Sequence, residues 1–135
     1  MAYYSNSKPG VKKSRADHWF SRAVRLRDEH LCQNCGKLGT DCAHIYGRRT
    51  KVTRWCALNA LCLCRACHNW FGENPLEFGA LIRRLYGDER EDVLMFKKRG
   101  ILKDNDDTKK RVSDHYRLEY HRMNNSGDRD LASFN

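Results

Sequence analysis

Apolar residues recur at helical spacing along much of the chain. Between Asp17 and Glu29, Trp19, Ala23 and Leu26 fall on one face with Phe20 and Val24 beside them, which predicts an amphipathic helix. Arg22, Arg25 and Arg27 take its remaining surface. A second run opens at Pro75 or Leu76, closes at Gly87, and puts Phe78, Leu81, Ile82 and Leu85 in register. Asp88 is a candidate N-cap for a further helix carrying Val93, Leu94 and Phe96. After an acidic break at Asn105–Thr108, the stretch Asp107–Met123 aligns Val112, Tyr116 and Tyr120 in a last helix.

The centre of the chain reads differently. Leu31–Gly39 has the form of a knuckle, two cysteines around a tight turn that ends in Gly36. Thr40–Tyr46 is short and apolar enough for a strand, and a basic loop follows from Gly47 to Arg54. Ala57–Leu63 is either a second strand or an extended approach to a helix that begins near Arg65, carries His68 and Phe71, and stops at Gly72 and Pro75. Trp55, Trp70 and Phe71 are expected in the core. The pattern is that of a small α+β protein without internal repeats. Residues 1–16, broken by Pro9-Gly10, read as a flexible basic arm; 17–100 form the main domain; 101–135 read as a C-terminal helix with a tail that frays from Asn124.

The 135 residues leave room for one modest core. No run approaches the length of a transmembrane helix, and the polar, basic start carries no apolar segment of a secretory signal. An intracellular place of action is therefore expected. Lys and Arg total 26 against 17 Asp and Glu, a net charge of +9, and the excess is localised. Met1–His30 contributes +4 and Leu31–Gly72 contributes +5, whereas the remainder sums to zero. Such clustering suits a polyanion, although a solvated basic surface accounts for it equally.

Seven cysteines in this context argue for reduced thiols, some of them holding metal. Cys32-Gln33-Asn34-Cys35 and Cys64-Arg65-Ala66-Cys67 are two C-x-x-C pairs, and together they offer the four thiolates of a structural, tetrahedral Zn²⁺. Such an ion crosslinks distant segments, and its binding energy becomes folding energy. Cys62 competes with Cys64 for a ligand position on spacing alone. Cys42 and Cys56 read as free, buried thiols.

Between and beside these pairs stand Asp41-Cys42-Ala43-His44-Ile45, Asn59-Ala60-Leu61-Cys62 and, after the last cysteine, His68-Asn69. In this order and spacing the chain resembles the HNH endonucleases, the ββα-metal nucleases, in their zinc-stapled form. Across roughly residues 17 to 100 it looks like phage recombination nucleases of the NinG kind. The resemblance implies a ββα-metal core flanked by additional α-helices. It also implies DNA as partner, no membrane, and Mg²⁺ or Mn²⁺ beside the structural zinc. His44, on a strand in a basic surround, suits a general base because an imidazole titrates near working pH. The likeness gives Asn59 the task of orienting the His44 ring or its strand, and His68 that of ligating the divalent cation at the scissile phosphate.

One position departs from the family. Many members carry Asp or His just before the general base, and here that residue is Ala43. Asp41 shares its strand parity and is the candidate second ligand, the alternative being a solvated turn aspartate. Arg48, Arg49, Lys51 and Arg54 follow the strand and suit phosphate gripping, against a merely solvated loop. The expected function is a metal-dependent DNA endonuclease with little sequence readout, possible substrates including branched or recombining DNA. The expected setting is the host bacterial cytoplasm if the phage likeness holds. The competing readings are a non-catalytic, zinc-stabilised nucleic-acid-binding protein and a partner-binding protein acting through its C-terminal helices.

Overall fold

Ser14 starts the first element. Its Oγ accepts from the Asp17 backbone N–H while Asp17 Oδ2 accepts from the Ser14 N–H at 2.8 Å, a reciprocal cap that opens helix α1 at Arg15 rather than at Asp17. The computed structural model describes residues 11–135, so most of the expected basic arm lies outside the described residues, and Arg15 and Ala16 belong to α1. α1 (Arg15–Arg27) ends where Glu29 and His30 adopt positive φ, turning the chain into the knuckle.

The knuckle is pinned by a bridge between Leu31 and Leu38 and by Cys32 N–H to the Lys37 carbonyl at 2.7 Å. Gly36 makes the turn at φ 78°, a conformation that disfavours side chains. Two short strands follow, β1 (Asp41–His44) and β2 (Ala60–Leu63), paired antiparallel with Asp41 opposite Leu63 and His44 opposite Ala60. Single 3₁₀ turns at Lys51–Thr53 and Ala57–Asn59 shape the chain between them. The second strand is thus real but shorter than the expected Ala57–Leu63.

Helix α2 (Arg65–Glu73) leaves β2 directly, and α3 (Pro75–Tyr86) starts at the proline, whose missing N–H costs nothing at a helix start. α4 (Glu89–Lys98) and α5 (Asp106–Ser126) complete the order, α5 being capped by Asn105.

The two-residue period of the strands divides the interior. Cys42, His44, Ala60 and Cys62 share one face of the hairpin; Asp41, Ala43, Leu61 and Leu63 share the other. On the first face Phe20 and Val24 of α1 meet Trp55 and Tyr116, Val112 and Met123 of α5. On the second, Phe71 of α2, Phe78, Leu81 and Ile82 of α3 and Leu94 of α4 cover Leu61 and Leu63. Each fully buried large side chain contributes about 1.5–3 kcal/mol of transfer free energy. Of the three aromatics assigned to the core, Trp55 and Phe71 lie there; Trp70 is half exposed, on the α2 flank turned away from both clusters.

The C-terminal region corrects two expectations. α5 packs along α1 as part of the first core, and the residues after it do not fray. The Tyr116 hydroxyl donates to the Trp55 carbonyl and accepts from Phe134 N–H at 2.9 Å. Ser133 Oγ accepts from Ala57 N–H at 2.9 Å, and Asn135 Nδ2 donates to the Val52 carbonyl at 2.6 Å. The tail is a strap across the loop between the strands, held by backbone groups that no local pattern reveals.

Candidate functional site

The knuckle and the N-terminus of α2 bring Cys32, Cys35, Cys64 and Cys67 together, their sulfurs all within 4.8 Å of one another. Cys35 and Cys64 are 3.8 Å apart. A tetrahedral ion with bonds of about 2.3 Å needs sulfurs about 3.8 Å from each other, so the donor set and its spacing fit zinc. Cys64 is also the N-cap of α2, its sulfur accepting from Cys67 N–H at 3.4 Å, and Asn34 Nδ2 donates to the Cys67 sulfur at 3.2 Å. Burial raises the Cys32 thiol, but backbone N–H groups of Cys35, Cys64 and Asn34 outweigh it and bring it down to about 7, favouring the thiolate.

The sulfur that joins Cys32, Cys35 and Cys67 is that of Cys64, at the end of β2, and not that of Cys62. Cys62 faces Cys42 across the hairpin, on the side of α1, and burial pushes both thiols up to about 12. A Cβ at Gly39 would stand 2.5 Å from the Cys62 sulfur, so the knuckle must carry glycine there. Cys42 is only half-buried; Cys56 is fully buried.

Along the open edge of β1, between α1 and α2, runs a cleft of about 660 Å³. His44, Asp41 and His68 all border it, as do Arg48, Arg65 and, from α1, Arg25. His44 Nε2 lies 3.1 Å from the Arg54 carbonyl. A carbonyl only accepts, so Nε2 carries the proton and Nδ1 keeps the lone pair of the neutral ring. Burial, against the pull of the Asp17 carboxylate and with Arg48 adding to it, lowers His44 to about 4 rather than leaving it near neutrality. The imidazole is consequently unprotonated at neutral pH.

Asp41 Oδ2 lies 2.9 Å from His68 Nδ1, and Asp41 also accepts from Thr40 Oγ1 and from Arg65. Burial works against its charge, but the bonds from Arg65 and His68 prevail and hold the carboxyl below its ordinary value. The strand parity that pairs Asp41 with Ala43 thus turns Asp41 toward α2 and His68. His68 is not part of the cysteine cluster.

Asn59 is fully buried and spends its amide on backbone. Oδ1 accepts from Tyr46 N–H at 2.8 Å, and Nδ2 donates to the carbonyls of Tyr46 and Thr53 at 2.9 and 3.0 Å. It therefore fixes the chain that leaves His44, while the ring itself is oriented by Arg54.

The four basic loop residues separate. Arg48 borders the cleft, and its Nη1 is enclosed with no hydrogen-bond partner among the described residues. Arg49 and Lys51 are exposed, away from the cleft lining, Lys51 lying 3.9 Å from Asp104. Arg54 is withdrawn from the proposed phosphate surface: it is 4% exposed, with Nε 2.9 Å from Asp17 Oδ1 and Nη2 3.0 Å from the Lys12 carbonyl. Its charge is matched internally.

Sequence reasoning passed over Lys13, Arg25 and Arg65 as cleft residues. For Arg25 the signal existed, since His18, Ser21 and Arg25 recur at helical spacing along one stripe of α1. Arg65 was hidden as a spacer inside a C-x-x-C pair.

Comparison with protein-family models, with curated proteins and with solved structures returned no match.

Proposed function

We propose that the protein is a divalent-cation-dependent DNA endonuclease built on a zinc-stapled ββα core. The observation that carries this reading is the meeting, along one cleft, of an unprotonated imidazole at His44, the Asp41–His68 pair and the Arg48 guanidinium, whose Nη1 has no hydrogen-bond partner among the described residues. Hydrolysis of a phosphodiester needs a proton acceptor for water, positive charge at the phosphate and help for the departing oxygen.

His44 Nδ1 takes the proton from the attacking water, since its other nitrogen is engaged with Arg54. Arg48 Nη1 donates to a phosphate oxygen and thereby gains a partner that the described residues do not supply. Asp41 and His68 offer one carboxylate oxygen and one imidazole nitrogen, a donor pair suited to Mg²⁺ or Mn²⁺. When bound, that ion supplies Lewis-acid charge at the scissile phosphate and leaving oxygen. Asn59 keeps the loop behind His44 in place. The four cysteines would hold zinc, anchoring the first turn of α2 and with it His68. Phosphate contacts favour low sequence specificity; branched or recombining DNA and the host bacterial cytoplasm belong to the same reading.

A second reading, a non-catalytic zinc-stabilised nucleic-acid binder, is favoured by one observation: Arg65 already occupies the Asp41 carboxylate. Plasmid nicking in Mg²⁺ or Mn²⁺ separates the two. Nicking that is lost in His44→Ala, with folding and DNA binding retained, supports the nuclease. DNA binding with no nicking in any divalent cation overturns it.

A further inference from the structure

Arg65 is a cation standing where the proposed chemistry requires a metal ion. Its Nε lies 2.7 Å from Asp41 Oδ2 and its Nη2 lies 3.1 Å from Asp41 Oδ1, so the guanidinium takes both carboxylate oxygens in a fork. The same Oδ2 is the oxygen that meets His68 Nδ1 at 2.9 Å. One oxygen is thus claimed by a fixed positive charge and by the imidazole that would share it with a divalent cation.

The pair is unequal in a telling way. The Asp41 side chain is 8% exposed and anchored on β1 by strand pairing and by Thr40 Oγ1, whereas the Arg65 side chain is 72% exposed. Release of the contact leaves Asp41 in place and lets Arg65 swing. Its backbone cannot follow, because Arg65 opens α2 between Cys64 and Cys67, two of the four cysteines that meet. What swings is a long side chain on a fixed pivot, at the border of a cleft that Arg48 and Arg25 also make positive. Two cations compete for one carboxylate, and the displaced one is left beside an anion-attracting groove.

We propose that Arg65 is a charge stand-in: it neutralises Asp41 while no divalent cation is bound, and exchanges that carboxylate for a phosphate of the nucleic acid when the cation arrives. In this role Arg65 acts on Asp41 first and on substrate second, and it couples cation binding to DNA binding. A chain without DNA then holds Mn²⁺ weakly, because the ion must displace an ion pair; with DNA present the displaced guanidinium has a new partner and the ion binds more tightly. The proposal rests on Asp41 and His68 being the cation ligands of the nuclease reading, but it is measured without cleavage.

Zinc-loaded protein is titrated with Mn²⁺ in the absence of DNA, free ion being followed by electron paramagnetic resonance. Arg65→Ala is expected to bind Mn²⁺ about tenfold more tightly than the wild-type chain, the loss of one charge-assisted competitor. Asp41→Asn is expected to abolish binding in both Arg65 backgrounds, with circular dichroism confirming that each variant is folded. A second measurement uses the His44→Ala background, so that no strand is cut, with Mn²⁺ present. There Arg65→Ala is expected to reduce the salt dependence of DNA binding by about one phosphate contact.

An Mn²⁺ affinity that is unchanged or weakened in Arg65→Ala overturns the stand-in, as does Mn²⁺ that binds neither protein. An unchanged salt dependence overturns the exchange onto phosphate. Plasmid nicking judges the nuclease reading separately: nicking in Mn²⁺ together with an Mn²⁺ affinity unchanged by Arg65→Ala overturns the stand-in and leaves the nuclease standing.

Discussion

Asp17 in the first turn of α1 and Arg54 in the loop between the strands form a buried ion pair, Nε to Oδ1 2.9 Å, with side chains 8% and 5% exposed. Trp55 Nε1 adds a bond to the same oxygen at 3.0 Å. Removing one partner leaves an uncompensated buried charge. Asp17→Ala is expected to lower the unfolding free energy by about 3–5 kcal/mol, measured by urea denaturation. The double variant with Arg54→Leu should lose less than the sum of the two single changes.

That pair also makes stability pH-dependent. Burial raises the Asp17 carboxyl, but bonds from Arg54 and Ser14 outweigh it and leave it below its ordinary value. The unfolded chain then binds the proton first as pH falls, so the stabilisation is complete above about pH 4 and fades below it. Melting temperatures of the wild-type chain and Asp17→Asn should converge in that acid range.

His44 shifts the other way for a base. Lowered to about 4 by burial from an ordinary 6.5, it stays neutral in the fold while the unfolded chain takes up a proton, so its effect on stability worsens as pH drops between those two values. The acid limb of the nicking profile should accordingly lie near pH 4 instead of near 6.5. His44→Ala should reduce nicking by about 10²- to 10⁴-fold with DNA affinity kept.

The cysteine cluster predicts one tightly held zinc per chain by elemental analysis. Chelation or Cys32→Ser should collapse the cooperative thermal transition, since the ion's binding energy is folding energy. Cys62→Ser should retain zinc, because the Cys62 sulfur is not one of the four that meet. His68→Ala should stay folded and zinc-loaded yet lose nicking.

Arg48 and Arg54 should separate in a DNA-binding titration. Arg48→Glu is expected to weaken binding and to flatten its salt dependence by about one to two phosphate contacts, with little change in melting temperature. Arg54→Glu should instead unfold the domain, as it opposes Asp17 with a like charge.

Tyr116→Phe tests the strap. Loss of the hydroxyl strands the Trp55 carbonyl of the loop and the Phe134 N–H of the tail that crosses it. The expected cost is about 1–3 kcal/mol in chemical denaturation, with proteolysis near the C-terminus accelerated.

The legible parts of this molecule are those set by neighbours in sequence. Two C-x-x-C pairs, a proline at a helix start and a short apolar run at Thr40–Tyr46 are local, and the cluster, α3 and β1 follow from them. The face that turns Asp41 toward His68 was equally readable from parity. Arg48 and Arg54 look alike in the loop, and only the distant Asp17 tells them apart. The tail offered polar residues and no periodicity; its order comes from hydrogen bonds to Val52 and Ala57, far back along the chain. Arg65 escaped notice because its flanking cysteines dominate the motif. The His44 shift depends on burial beneath Phe20 and beside Arg54, which no spacing rule encodes.

Asn59 leaves a mark on how this sequence is free to change. Its amide grips Tyr46 and Thr53, so the stretch from Gly47 to Val52 hangs between two moorings. Lengthening a surface excursion of that kind adds little closure entropy. Descendants of this chain can therefore lengthen the exposed excursion at Arg49, altering which polyanion is favoured, while Arg48 stays at the cleft and the strand that carries the imidazole is held.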